Sequence, residues 1–193
     1  MLDKGRLEKT WSRVNDWLGV ETRAMYLYRL EANAWKEQGC GVGSCAQWSL
    51  LRPEEIPLLG PLSESDLGQA ALRLKRGDRC YVARLDGKLA HHTWAQTSGL
   101  HPITEAGVER PVESGEFWIY HAHTAEWARG RRLYPTALSR ILCDHFRDGF
   151  KTAWVYTQDF NTISQKGIER SQFERVAILR ALRCGRFYLP MRS

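Results

Sequence analysis

Residues 123–135, HTAEWARGRRLYP, gather the side chains best suited to chemistry: three arginines, Arg129, Arg131 and Arg132, around one glycine, Gly130. A β-patterned run, EFWIYHAH (116–123), leads into this stretch, and a helical run, LYPTALSRILCDHF, leaves it at Leu133. Strand, basic glycine-containing loop and helix, in that order, aim backbone N–H groups and the positive end of a helix at an anion, usually a phosphate. His121 and His123 lie two apart at the end of the same run. If alternation holds they share a face, and a neutral imidazole, titrating near pH ~6.5, can take a proton from a substrate. Glu126 and Glu116 are the carboxylate alternatives, although a glutamate just before an arginine cluster also reads as an ion-pair partner.

The rest of the chain must position these groups. Its 193 residues, 43% hydrophobic and 26% charged, fit one globular domain with a real core. Leu2, Leu7, Trp11, Val14 and Leu18 predict an additional amphipathic helix over 1–18. AMYLYRL (24–30) reads as a strand. Residues 33–62, rich in Gly and Pro, read as a loop-rich insertion with one short strand at 46–51. Ser63 caps a helix over 64–76. RCYVARL (79–85) and KLAHHTWAQ (88–96) flank Asp86-Gly87, a hairpin signature. A loop at 98–114, a third strand at 116–123, a helix at 133–147, a strand at 151–157, a helix at 162–170 and strands near 173–182 and 185–190 complete the order. The fold class is α/β in the broad sense: a mixed sheet with helices on both faces.

Composition narrows the partners. The net charge of +6 suits an anionic partner: a phosphorylated cofactor, an acidic carrier protein or nucleic acid. Nucleic acid is disfavoured, because no helix-turn-helix, RNA-binding aromatic motif or zinc spacing is present. No apolar run approaches the ~20 residues of a membrane span, and the N-terminus carries no signal-peptide stretch, so the expected location is cytoplasmic. Five scattered cysteines match no standard zinc spacing and read as reduced thiols. His91 and His92, adjacent on a strand, point to opposite faces. One can line a pocket, but the two cannot share an ion, and no metal is expected.

The element order resembles the GNAT superfamily of N-acetyltransferases over about residues 22–190. ARLDGKLAHHTW resembles the family's central hairpin, and ARGRRLYPTAL its acyl-CoA pyrophosphate loop, usually Arg/Gln-x-x-Gly-x-Gly/Ala. DFNTISQKGIERSQF resembles its later segment with Asp-x-Asn-x-x-Ser. Arg132 and Tyr134 stand where the motif has Gly and Gly or Ala, and Ile168 stands where many members place a tyrosine general acid.

The resemblance implies a twisted mixed sheet and transfer of an acetyl or longer acyl group from acetyl-CoA or another acyl-CoA to a small-molecule amine. The donor threads between two splayed parallel strands, here 116–123 and 151–157. His123 and Thr124 then face the thioester arm, and Arg129, Gly130, Arg131, Arg132, Leu133 and Tyr134 the pyrophosphate. Asn161 and Ser164 contact the pantetheine, unless Asn161 is simply a helix cap. His121 and His123 are the candidate bases, with Glu126 as alternative. Tyr156, Tyr134 and Ser164 are candidates to protonate the leaving thiolate. Trp94, Trp118 and Trp127 line a pocket or pack the core. Two alternatives stay open: an acyl-carrier-protein donor, and a non-catalytic acyl-CoA-binding module.

Overall fold

The computed structural model describes residues 20–37 and 46–191; the expected helix over 1–18 lies outside them. In chain order the elements are β1 (Val20–Glu31), β2 (Gln47–Leu50), a 3-10 turn (Pro53–Leu59), α1 (Glu64–Arg76), β3 (Arg79–Leu85), β4 (Lys88–Gln96), β5 (Leu100–Ile103), β6 (Val108–Pro111), β7 (Glu116–Thr124), α2 (Leu133–Arg147), β8 (Thr152–Gln158), α3 (Thr162–Arg170), β9 (Glu174–Cys184) and β10 (Phe187–Met191).

Local chemistry sets the boundaries. The Ser63 hydroxyl accepts from the Asp66 N–H to start α1, and Gly77, at φ +98°, ends it in the left-handed region that favours glycine. Asp86 and Gly87 both have positive φ, as a two-residue hairpin turn between β3 and β4 requires. In α2, Leu133, Ala137, Leu138, Ile141, Leu142 and His145 form one buried stripe at helical spacing.

Eight strands form one sheet in the order β10-β9-β1-β8-β7-β4-β3-β2. Every pairing in it is antiparallel except β7 with β8. One face packs Tyr28, Tyr81, Phe117, Ile119 and Val155 against Leu138, Ile141 and Leu142 of α2 and Ile168 of α3. The opposite face packs Cys80, Val82, Trp94 and Tyr120 against Ala70 and Leu74 of α1. Helices therefore cover both faces.

The structure departs from the sequence reading in three places. Residues 98–114 are not simply a loop: β5 and β6 pair as a separate two-stranded sheet. Pro102 and Pro111 hid it, although the alternate burial of His101 and Ile103 follows strand periodicity. β1 is longer than expected and lies between β8 and β9. Finally, Cys143 is disulfide-bonded, which corrects the expectation of reduced thiols throughout; Cys80 and Cys184 are free.

Candidate active site

The parallel ladder between β7 and β8 runs only from Glu116–Thr152 to Ile119–Val155. Beyond it β7 continues to Thr124 and β8 to Gln158 without pairing to each other, so the sheet opens into a cleft. On its other side β7 keeps its partner, because Tyr120, His123 and Thr124 pair with Trp94, His92 and His91 of β4. The register shifts between His92 and Trp94, and His121 takes φ +46°. This bulge re-aims the strand. Tyr120 and His121 are sequence neighbours, yet both side chains face α1, where Tyr120 donates to Asp78 and His121 meets Asp66. His123 faces the same way, so the two histidines do share a face.

Asp66 is the centre of this cluster, and sequence reasoning missed it. Its carboxylate is fully buried; His92 Nε2 lies 2.5 Å from Oδ2, His121 Nδ1 3.2 Å from Oδ1 and His123 Nε2 4.0 Å from Oδ2. Arg73, two turns along α1, closes the ring by ion pairing with Oδ1. Burial alone would raise the Asp66 carboxyl, but hydrogen bonds from His121 and His92 hold it far below the usual carboxylate range. A carboxylate at His121 Nδ1 favours the tautomer with the proton on that nitrogen and leaves the Nε2 lone pair to act. His121 and His123 keep 38% and 42% of their side chains exposed, so a substrate can reach them. Burial first, and His92 second, lower the His123 pKa, which favours its neutral, proton-accepting form. One signal was available in the sequence: Asp66 and Arg73 are seven residues apart, on one face of a helix.

The other candidates fall in distinct places. Glu126 is 87% exposed and pairs with Arg129 at 3.3 Å, outside the cluster around Asp66. His91 is buried on the α2 side, with Nδ1 2.7 Å from Thr124 Oγ1 and Nε2 2.6 Å from Thr93 Oγ1; burial lowers it to about 3. It is a satisfied core histidine, and it takes the Thr124 side chain with it. Tyr156 packs on β8 beside Trp118 and Trp154, with its ring 5.9 Å from His101, and burial pushes its hydroxyl well above the usual range. Trp94 and Trp118 are core, whereas Trp127 is exposed. Ile168 is fully buried against α2 and offers no proton.

At the start of α2, Gly130 has φ +78°, and a Cβ there would touch nothing within 4 Å. Arg132 is the N-cap residue at φ +58°, and no side chain caps this end of the helix. Among the described residues no side chain accepts from the Leu133 and Tyr134 N–H groups; Pro135 has none, the Thr136 N–H donates to the Arg132 carbonyl, and three exposed arginines lie beside this end. Leu133 is buried and anchors the turn. Tyr134 lies against Gly167 of α3 and hydrogen-bonds Ser164; burial pushes its hydroxyl up to about 12. Asn161 caps α3 by accepting from the Ser164 N–H at 3.1 Å. The start of α2 and the start of α3 therefore meet through Tyr134 and Ser164.

This overall arrangement is shared with solved acetyltransferases. The chain has the GNAT fold. A GCN5-related N-acetyltransferase from Sphaerobacter thermophilus superposes with a TM-score of 0.62 at 11% identity, over 90% of this chain and 55% of that one. A GNAT-family acetyltransferase from Colwellia psychrerythraea gives 0.60 at 14% identity, over 90% and 57%. An aminoglycoside N-acetyltransferase in complex with CoA gives 0.54 at 16% identity, over 68% and 93%. This chain thus spans little more than half the length of the first two. Neither a protein-family model nor a curated protein matches its sequence. Arg132 occupies a left-handed position that glycine would hold without strain.

Proposed function

We propose that this protein is an acyl-CoA-dependent N-acyltransferase acting on a small-molecule amine. The observation that carries the reading is the β7–β8 cleft, which parts after Ile119 and Val155 with His121 bulged at its mouth. Acyl-CoA brings an activated thioester to this cleft. The N–H groups at the start of α2 and the guanidinium groups of Arg129, Arg131 and Arg132 hold its phosphates, and Gly130 lets the backbone approach them. His121, oriented by Asp66, takes the proton that the acceptor ammonium must lose before its nitrogen can attack, with His123 beside it. Tyr134 and Tyr156 keep their protons at neutral pH, and either can return one to the departing thiolate.

Calorimetric titration with CoA, acetyl-CoA and a long-chain acyl-CoA tests the donor site. We expect micromolar binding that Gly130→Asp abolishes while the protein stays folded, because a carboxylate then faces the phosphates. No binding to any of the three, or undiminished affinity in Gly130→Asp, overturns the assignment.

A further inference from the structure

Asp66, His92 and His123 come from α1, β4 and β7, and their donor atoms all lie within 4.8 Å of one another. Two imidazoles and a carboxylate are the donor set that divalent transition metals of borderline softness take from proteins. Zn–N and Zn–O bonds of about 2.0–2.1 Å in tetrahedral geometry place ligand atoms roughly 3.3 Å apart. Here the separations from Asp66 Oδ2 fall on either side of that value, 2.5 Å to His92 Nε2 and 4.0 Å to His123 Nε2. Opening the first by less than 1 Å and closing the second by about as much seats an ion, and His123, partly exposed, is free to adjust.

The surroundings are also those of a metal centre. Asp66 Oδ1 faces Arg73 and His121, so the carboxylate can give Oδ2 to an ion while Oδ1 stays fixed from outside. The fourth position is left to water, since His121 directs its Nδ1 at Oδ1 rather than at the site. His92 now lends a proton to Asp66 through Nε2, and its buried Nδ1 has no partner among the described residues.

We infer that Asp66, His92 and His123 form a binding site for a single zinc-like divalent ion at the mouth of the β7–β8 cleft. The site stands on these three residues and does not depend on the acyl-transfer reading. If that reading also holds, the ion occupies the place where an acceptor ammonium must approach His121, and zinc inhibits transfer until a chelator removes it.

The test is titration of the chelator-treated full chain with zinc sulfate by calorimetry, and with cobalt(II) by visible absorption. The expected result is one ion per chain and the intense cobalt spectrum of four-coordinate geometry. Affinity should fall at least about a hundredfold in both His92→Ala and His123→Ala, since loss of even a supporting group costs 10–100-fold. His92 is buried and its variant can lose the fold; His123 is not, and its variant, checked by circular dichroism, keeps the test decisive. No saturable binding, or undiminished affinity in folded His123→Ala, overturns the site. Failure of CoA binding alone leaves it standing.

Discussion

Replacing Asp66 with asparagine keeps the side chain's shape and removes its charge, which isolates what the carboxylate does. Its side chain is fully buried, and that of Arg73, its ion-pair partner, is only 11% exposed. His92 and His121 also direct nitrogens at the same two oxygens. An asparagine offers one acceptor oxygen and turns an amino group toward the remaining donors, leaving the Arg73 cation buried without a counter-charge. Breaking a buried pair in this way costs about 3–5 kcal/mol, a large share of the ~5–15 kcal/mol that holds a typical domain together. For a chain of this length the midpoint of thermal unfolding should drop by roughly 6–20 °C. Urea denaturation with a chelator present, which keeps metal ions from contributing, gives the free energy directly. Arg73→Met added to Asp66→Asn should recover part of the loss, because it removes the stranded cation. A cost under about 1 kcal/mol for the single variant, or a further loss in the double, would refute the view that this carboxylate holds the cluster together.

Two further outcomes are expected. Arg132→Gly removes a left-handed strain of about 1–2 kcal/mol, part of which glycine's freedom in the unfolded chain offsets. The variant should therefore be equally or slightly more stable yet bind CoA a few-fold more weakly for want of one guanidinium; loss of stability would assign Arg132 a structural role. His145 is buried, stacked 4.4 Å from Phe117, and donates through Nδ1 to the Ile141 carbonyl. Burial lowers it to about 4, against the pull of Asp148 and Asp144. Its contribution to stability is therefore complete above the unfolded value of ~6.5 and is lost as pH falls from there to about 4, by about 3 kcal/mol in all. Urea midpoints across that window should fall less steeply in His145→Phe; an unchanged slope places the acid sensitivity elsewhere.

Elements with a strong local signal were legible from the chain alone. The Asp86-Gly87 turn, the Ser63 cap and the apolar stripe of α2 each depend on residues near one another in sequence, and all three stand where expected. The splay of β7 from β8 was foreseen only through resemblance, because a ladder that stops is a tertiary fact. The bulge at His121 left little local mark either, since histidine tolerates positive φ but only a small fraction of histidines adopt it. The Asp66 cluster was invisible for a similar reason: α1, β4 and β7 each give it one or two polar residues that look ordinary in isolation. His91 and His92 do point to opposite faces, as strand alternation predicts, but nothing local shows that His91 enters a hydrogen-bonded core and His92 meets Asp66. Glu126 attracted notice by standing beside the arginines, and solvent exposure leaves it as Arg129's partner.

The place of β1 bears on how the molecule comes to be folded at all. Its residues pair along one edge with β8, Met25 opposite Gln158, and along the other with β9, Val20 opposite Cys184. Both neighbours are synthesised long after β1 itself. Until they arrive, an extended strand carrying Met25, Leu27, Tyr28 and Leu30 has two open edges and no sheet to join. Contacts between segments so far apart in sequence make for slow folding and a long exposure to wrong partners. The sheet can close around β1 only once both β8 and β9 are present, so its apolar side chains must wait for the C-terminal half of the chain.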